Sequence, residues 1–327
     1  MQAIRQGRYG TVPEDVMGLD RVARPGIAAH EVLIRVRAAG VDRGTWHLMA
    51  GQPYLMRLLG FGVRGPRNRV PGLDVAGTVV AVGPEVTRFA AGDEVFGIAR
   101  GSFAEYAAAW EDTLARKPAA LSFGQAAAVA VSGLTALQGL RDAGRIQPGQ
   151  KVLVIGASGG VGSYAVQLAK SFGAEVTGVC STAKTDLVRS IGADHAIDYT
   201  RADFADGRQH YDLILDIGGS SRLSRLRRAL TRRGTLVIAG GEGDRWTGVG
   251  RQLRALALSV LIRQRLTMYA SRPRHRQADL DTLRQLIDAG QVTPVIDRTY
   301  PLAEAPQAIR RLQAGHARGK IVITVPS

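Results

Sequence analysis

Cysteine is nearly absent from this chain of 327 residues, which contains only Cys180. A single cysteine excludes an internal disulfide framework and a cysteine-rich metal site, and it is typical of a protein in a reducing compartment. Long apolar runs are absent too, because the longest, at residues 126–131 and 255–262, are far shorter than a membrane span. The first ten residues contain no apolar signal core. We therefore expect a soluble, cytoplasmic protein with no integral membrane segment.

Acidic residues are also scarce, since 28 Asp and Glu stand against 43 Lys and Arg and leave a net charge of +15. Much of the excess is local: residues 222–276 contain 14 arginines, no lysine, and only Glu242 and Asp244 as acids, which gives +12. Such a stretch is either a solvated face of an arginine-rich chain or a surface that attracts a phosphorylated cofactor, a nucleic acid or an acidic membrane. We favour the solvated face, so nucleic acid is not the first choice of partner.

The order of predicted elements divides the chain into two domains. Up to about residue 120 the sequence predicts strands and turns, such as the alternating residues 31–39. Beyond Ser122, strands alternate with helices, which predicts a parallel, doubly wound sheet. The predicted strands are 151–155, 175–180, 195–198, 211–216 and 234–239, and the helices are 162–172, 184–191 and 222–230. We place the first domain at residues 1–121, with 296–327 returning to it, and the second at 122–295.

A glycine-rich turn, GASGGVG, follows the first strand of the second domain and precedes a helix. Its small residues have the spacing of the dinucleotide fingerprint G-x-G-x-x-G, with Ala157 at the first position. Small residues there allow a tight turn, close approach of backbone N–H groups to a pyrophosphate, and close packing of helix on strand. We therefore predict that the turn binds a dinucleotide through Ala157, Ser158, Gly159, Gly160, Val161 and Gly162.

The end of the second strand predicts which dinucleotide is bound. An NAD site would place an Asp or Glu there to bind the ribose 2′-hydroxyl, and this chain has Cys180 followed by Ser181, Thr182 and Lys184. Hydroxyls and a cation suit a 2′-phosphate, which favours NADP(H) over NAD(H). Tyr199, just beyond the next strand, is a further candidate for the phosphate or the adenine. The alternative is that the hydroxyls cap the following helix and that the lysine is a solvated cation.

Several segments resemble one enzyme family. The run VLVIGASGGVG, followed by GVCSTAK, SIGADHAIDY, YDLILDIGG and a closing ARGKIVI, resembles the medium-chain dehydrogenase/reductase superfamily and, within it, the zinc-independent quinone oxidoreductase branch. PGLDVAGTVVAVGPEV and RFAAGDEVFG resemble the family's first domain, so the resemblance covers essentially the whole chain. It implies an α/β fold with a GroES-like β-barrel domain and a doubly wound Rossmann domain. It also implies a homo-oligomer, with a dimer favoured.

The resemblance extends to the nicotinamide end of the cofactor site. It implies that Gly218, Gly240 and Met268 line that end, and that Thr135 contacts the nicotinamide. For Thr135 the alternative is a helical threonine that bonds its own backbone.

Zinc-dependent relatives hold a catalytic zinc at three positions that match Asp42, Leu73 and Val131 by resemblance. Because two apolar side chains cannot coordinate zinc, we predict that the chain holds no catalytic metal. Asp42 stands where the quinone reductase branch usually has an Asn near the nicotinamide, and it is our second catalytic candidate beside Thr135. Its alternative role is to cap the turn that leads to Trp46.

Tyr54, in the segment WHLMAGQPY, is our candidate proton donor, and its alternative role is an aromatic wall. Together these residues predict a zinc-independent, NADPH-dependent oxidoreductase that transfers hydride to small molecules, namely quinones or α,β-unsaturated carbonyl compounds. Two alternatives stay open. One is a metal-free, NADP-dependent alcohol or aldehyde dehydrogenase, and the other is an NADPH-liganded protein that binds nucleic acid or a membrane surface.

Overall fold

A computed structural model of the chain describes residues 1–240, 249–271 and 276–326. The chain divides into two compact units. The first comprises Met1–Leu134, Arg274–Gly290 and Pro294–Ser327, and the second comprises Thr135–Pro273 and Gln291–Thr293.

The described strands are β1 (Gln2–Gln6), β2 (Met17–Arg21), β3 (Glu31–Val41), β4 (Asp74–Val82), β5 (Glu94–Ile98), β6 (Tyr106–Trp110), β7 (Leu114–Arg116), β8 (Lys151–Ile155), β9 (Glu175–Cys180), β10 (His195–Asp198), β11 (Tyr211–Asp216), β12 (Leu230–Ile238), β13 (Arg265–Met268), β14 (Ile296–Pro301) and β15 (Lys320–Thr324). The described α-helices are α1 (Pro13–Val16), α2 (Arg43–Ala50), α3 (Phe123–Ala126), α4 (Ala130–Gln138), α5 (Gly160–Ser171), α6 (Thr185–Ser190), α7 (Leu223–Ala229), α8 (Gly250–Ser259), α9 (Arg276–Asp288) and α10 (Ala305–Gln313).

The first unit is built around β3, which pairs antiparallel with β4, β6 and β15. Val32, Ile34 and Val36 alternate along β3 and are fully buried, as expected of a strand with one face on a core. The sheet order among the described strands is β14-β15-β3-β4-β5-β7, with β6 beside β3, and β1 pairs with β2 in a separate two-stranded sheet. Because β15 pairs with β3, the C-terminal strand belongs to the sheet of this unit.

The second unit contains a parallel sheet whose described strands have the order β10-β9-β8-β11-β12-β13. Counted from β8, this is the order 3-2-1-4-5-6 of a doubly wound dinucleotide-binding sheet. Val152, Leu153 and Val154 of β8 are all fully buried, because helices cover both faces of such a sheet. The sheet confirms the doubly wound fold predicted from the sequence.

One strand differs from its predicted bounds. The sequence predicts a strand at 234–239, and β12 begins at Leu230. The pairing of β12 with β11 is irregular, since Leu230 stands opposite Tyr211 whereas Thr235 stands opposite Leu213. The apolar run that identifies the strand starts only after this break, so the first residues of the strand escape a pattern search.

One stretch of the described residues, Phe123–Ala143, is long and apolar enough to cross a membrane. Its most apolar window is 72% buried inside the structure. A buried core helix has the same composition, so this stretch is only weak evidence for a membrane span.

Candidate functional site

The glycine turn joins β8 to α5 in the second unit. Gly156 has a φ of 88°, which an L side chain rarely adopts. The N–H groups of Gly156 and Ala157 both donate to Val179 O at 3.1 Å, which ties the turn to β9. A Cβ on Gly162 would lie 2.0 Å from Gly156 O, so only glycine lets α5 pack this closely on the turn.

The outer side of the same turn has space and unpaired donors. Gly159 is the N-cap residue of α5 and provides no side-chain cap, so the first N–H groups of the helix are not capped by a side chain. Among the described residues beyond its chain neighbours, the atom nearest to a Cβ on Gly159 would be Gly156 O, at 3.5 Å. A helix N-terminus with free N–H groups and room in front of it suits a diphosphate. Ser158, Gly160 and Val161 belong to this turn.

The other predicted cofactor residues stand at the same edge of the sheet. Pairing registers put Ile155, Asp216, Ile238 and Met268 level at the carboxyl ends of β8, β11, β12 and β13. Gly218 and Gly240 follow directly, and their N–H groups donate to Ile155 O and Asp216 O, each at 3.1 Å.

Close packing at this edge requires glycine. A Cβ on Gly240 would lie 2.2 Å from Ile217 O, so a larger residue would separate the ends of β11 and β12. The structure therefore brings Gly218, Gly240 and Met268 to the edge that carries the glycine turn, where doubly wound sheets bind nucleotides.

The sequence analysis missed an ion pair at this edge. The Asp216 carboxylate, at the end of β11, is fully buried and pairs with Arg251 of α8, which also donates to Gly219 O at 3.0 Å. Arg251 lies in the basic stretch that we interpret as solvated, yet only 19% of its side chain is exposed. The buried strand YDLILD, which ends in an acid, is the sequence signal that could have found it.

Two buried polar atoms lie beside this ion pair without a hydrogen-bond partner among the described residues. They are Arg251 Nε and Gln252 Oε1. Buried polar atoms are nearly always satisfied, so an orphaned donor and acceptor indicate that a polar ligand belongs here. The residues at this edge therefore fit a nucleotide cofactor.

The predicted 2′-phosphate residues gather at the ends of β9 and β10. Cys180 pairs in register with Asp198, and Tyr199 donates its N–H to Cys180 O at 3.1 Å. Lys184 donates its N–H to Ser181 O at 2.9 Å, which places Ser181 and Lys184 in one short turn. The Ser181 side chain makes no capping hydrogen bond, so the alternative of a capping serine is not realised.

Asp198 is a second residue that the sequence analysis passed over. Its carboxylate accepts hydrogen bonds from the Thr182 hydroxyl and from the N–H and hydroxyl of Thr200. The bond from Thr182, with those from Thr200, holds the pKa of this carboxyl below its ordinary value. The carboxylate thus stays charged beside Ser181 and Lys184, and its acceptor oxygens are occupied by local hydroxyls.

Asp42 lies in a buried cluster of charged groups in the first unit. It is the N-cap of α2, and its carboxylate accepts from the N–H of Thr45 at 2.8 Å and from the Thr45 hydroxyl at 3.3 Å. The neighbouring Asp74 carboxylate accepts from Lys320 Nζ at 2.7 Å and from the N–H of Val131 at 2.6 Å. Burial raises the pKa of Asp42 to about 6, with Lys320 lowering it and Asp74 raising it further. Asp42 therefore keeps its proton to a higher pH than an exposed aspartate does.

The three positions that match zinc ligands in related enzymes also converge in this unit. The side chains of Asp42 and Leu73 both lie within 4 Å of the point that a Cβ on Gly44 would occupy, and Val131 is held by Asp74. Of these three side chains, only that of Asp42 offers an atom that could coordinate zinc. Within the described residues no three His, Cys, Asp or Glu side chains are grouped to hold a metal ion. The donor set does not fit a catalytic zinc.

Tyr54 and Thr135, the other two catalytic candidates, lie elsewhere. Tyr54 follows the C-terminal end of α2, and the Arg57 guanidinium stacks 4.7 Å from the centre of its ring. The same guanidinium lies 4.4 Å from the ring centre of Tyr9. Thr135 is a half-buried residue of α4 and belongs to the second unit.

Part of the basic stretch faces away from the predicted cofactor residues. Arg227, Arg228, Arg232 and Arg263 line a cavity of about 450 Å³ in the second unit. These residues lie at the end of α7 and near the amino ends of β12 and β13, which is the edge of the sheet opposite the glycine turn. Residues 241–248 and 272–275 of the stretch lie outside the described residues.

Comparisons with known proteins give the same family over the whole chain. The family model for alcohol dehydrogenase GroES-like domains matches residues 28–119, and that for zinc-binding dehydrogenases matches residues 191–323. The chain is 34% identical to 2-methylene-furan-3-one reductase of Solanum lycopersicum, over 99% of this chain and 79% of that protein. It is 32% identical to quinone oxidoreductase of Sus scrofa, over 99% and 97% of the two chains. Among solved structures, the Escherichia coli quinone oxidoreductase complexed with NADPH superposes with a TM-score of 0.84 at 26% identity, covering 99% and 100% of the two chains.

Proposed function

The chain belongs to the medium-chain dehydrogenase/reductase superfamily, in its quinone-oxidoreductase-like branch, and on that basis we propose that it is a zinc-independent reductase of quinones or α,β-unsaturated carbonyl compounds. It is an NAD(P)H oxidoreductase, and NADP(H) is its cofactor. We propose NADPH as the physiological donor. The domains in this proposal are residues 1–121 with 296–327, which are GroES-like and catalytic, and residues 122–295, which bind the nucleotide.

The cofactor would be held along the carboxyl edge of the parallel sheet. The diphosphate would bind the glycine turn, from Ala157 to Gly162, through the free N–H groups of α5. Ser181, Lys184 and Tyr199 would bind the 2′-phosphate, and Gly218, Gly240 and Met268 would line the nicotinamide. When bound, NADPH supplies the hydride.

The protein residues would orient the acceptor and manage a proton. Quinones and conjugated carbonyls delocalise the charge that hydride arrival creates, so they need no Lewis acid. We assign Tyr54 as the proton donor, with Arg57 beside its ring as a source of positive potential. Asp42 would present an O–H donor when protonated, as an asparagine amide would present an N–H, and Thr135 would position the nicotinamide.

The observation that carries zinc independence is the donor set at positions 42, 73 and 131, where two of three side chains are hydrocarbon. The test is a screen of quinones, enones, enals and simple aldehydes in the presence of a chelator, followed by NADPH absorbance. We expect oxidation of NADPH with quinones, enones or enals, and weaker oxidation with NADH. Reduction of simple aldehydes without reduction of any conjugated compound would instead support the metal-free alcohol or aldehyde dehydrogenase.

The second alternative is a protein that binds nucleic acid or a membrane surface. The observation that favours it is the basic cavity lined by Arg227, Arg228, Arg232 and Arg263. A protein that binds nucleic acid or an acidic membrane with NADPH as a ligand would show steep salt-dependent binding and no NADPH oxidation with any acceptor.

We also propose that the protein is a homodimer and that it is located in the cytoplasm. Sedimentation of the intact protein and fractionation of the cell test these two points.

A further inference from the structure

A cavity of about 950 Å³ opens in the first unit, and none of the predicted nucleotide-binding residues is among the described residues that line it. Its wall is formed by β1, β2, the segment before β4 and the residues after β5. Leu48 of α2, the helix that Asp42 caps, also contributes to the wall, as does Leu73. This volume is at the upper end of the range for small-molecule sites.

Among the described residues, five arginines and no aspartate or glutamate line the cavity. Two of the arginines are neutralised, since Arg5 pairs with Asp20 at 3.0 Å and Arg100 pairs with Glu31. The other three have no acidic partner in the part of the chain that the structure describes. They are Arg21, Arg67 and Arg69. Three unneutralised guanidinium groups around one cavity attract an anion, and guanidinium binds carboxylate or phosphate in a bidentate manner.

The rest of the wall is largely apolar. Leu48, Leu73 and Phe61, which is 45% exposed, contribute apolar side chains to it. Leu58 and Leu59 belong to the same short π-helical segment as Phe61, Arg57–Phe61, and are also exposed, at 71% and 68%. An apolar wall suits a ligand whose body is hydrophobic.

A buried donor next to the wall lacks a partner. Ser102 is fully buried, its hydroxyl makes no hydrogen bond to any described residue, and a Cβ on Gly72 would touch it. Gly72 lines the cavity. An unpaired buried hydroxyl at this wall indicates that a polar group of a ligand belongs nearby.

We propose that this cavity binds an amphipathic anion and that the preferred acceptor of the enzyme is a conjugated carbonyl or quinone that carries a carboxylate or phosphate group. This rests on the proposed function. Arg21, Arg67 and Arg69 bind the anionic group, and the apolar conjugated body lies along Leu48 and Leu73. The charged group thereby orients the acceptor, while the reacting carbons remain free of charged contacts.

Two compounds of nearly equal size test the anion site, namely 4-carboxycinnamaldehyde and its methyl ester. They carry the same reactive enal and differ in charge. We expect a KM for the acid that is about tenfold or more below that of the ester, as is typical of a charged hydrogen bond. The difference should shrink as salt is raised.

Variants then localise the effect. The double variant Arg67→Ala/Arg69→Ala should raise the KM of the acid about tenfold and leave that of the ester and of NADPH unchanged. Arg64→Ala is the matched control, because Arg64 is exposed in the same loop and does not line the cavity. It should change neither KM.

The experiment distinguishes failure of the anion-site proposal from failure of the reductase proposal. Equal KM values for acid and ester would overturn the anion site and leave the reductase proposal standing. If neither compound oxidises NADPH, but calorimetry shows that the acid binds and that the double variant does not bind it, the reductase proposal is overturned and the anion site is supported. If the acid does not bind to the unmodified protein at all, the anion site is wrong.

Discussion

Replacement of Asp42 by asparagine should stabilise the protein near neutral pH, although the change removes a charge from a hydrogen-bonded group. The Asp42 carboxyl is 5% exposed, and burial raises its pKa from 3.8 to about 6. Each pKa unit corresponds to about 1.4 kcal/mol, so ionised Asp42 costs the folded state up to about 3 kcal/mol. Asparagine keeps the acceptor for the N–H of Thr45 and carries no charge.

The pH dependence follows from the sign of the shift. Because the pKa of Asp42 is higher in the folded protein than in the unfolded chain, its stabilising contribution is complete below about pH 4 and is lost as pH rises to about 6. The advantage of Asp42→Asn should therefore be small at pH 4, about half-developed at pH 5, and full at pH 7. For a unit of this size, about 3 kcal/mol corresponds to a rise in Tm of roughly 6–12 °C.

Thermal unfolding of both proteins at pH 4, 5 and 7 measures this effect. Asp194→Asn is a control in which we expect Tm to change in the opposite direction. Although burial raises the pKa of Asp194, hydrogen bonds from Lys170 and the N–H of Val176 hold that pKa below its ordinary value. That variant should lower Tm at pH 7. A Tm for Asp42→Asn at or below that of the unmodified protein at pH 7, or a gain that does not vary with pH, would refute the reasoning.

Four further predictions concern Lys184, the glycine turn, the buried pair of Asp74 and Lys320, and the metal. Lys184→Ala should weaken NADPH binding by about 1–3 kcal/mol and leave NADH binding nearly unchanged, as measured by fluorescence titration, and an equal loss for both would contradict a 2′-phosphate contact. Gly159→Ala should keep the Tm within a few degrees while NADPH affinity falls, because its Cβ would enter only the space in front of α5, whereas Gly162→Ala should lower the Tm itself because of the contact with Gly156 O. Lys320→Met should lower the free energy of unfolding by roughly 3–5 kcal/mol, because it leaves the buried Asp74 carboxylate without its cation. A second change, Asp74→Asn, should recover part of that loss. An unchanged Tm in the single variant would mean that the pair is not buried as described. Turnover should survive exhaustive chelation with well under one zinc per chain, and stoichiometric zinc that turnover requires would overturn the metal-free mechanism.

The glycine turn shows why part of the site can be read from the sequence. Its small residues are adjacent in the chain, and each is required by a local constraint: the positive φ of Gly156 and the 2.0 Å that separates a Gly162 Cβ from Gly156 O. The alternation of strands and helices then places the following strand ends at one edge of the sheet. Ser181 and Gly218 are predicted in this way, because carboxyl ends of parallel strands meet at the same edge.

The buried ion pairs, in contrast, could not be predicted from the sequence. Asp74 and Lys320 are 246 positions apart and meet only because β15 pairs with β3. Nothing in the local pattern around either residue signals burial, and a charged residue in a sequence is normally interpreted as exposed. The same holds for Asp216 and Arg251, since the arginine lies in a stretch whose composition suggests a solvated face.

By itself, the sequence determined the α/β class, the doubly wound sheet and the glycine turn between β8 and α5, because these depend on periodicity and on residues that are neighbours in the chain. Only the tertiary structure decided that burial raises the pKa of Asp42 and that arginines from β1, β2 and the segment before β4 line one cavity. Both features depend on distances between residues far apart in the chain, where burial and strand register, rather than local pattern, set the electrostatic environment.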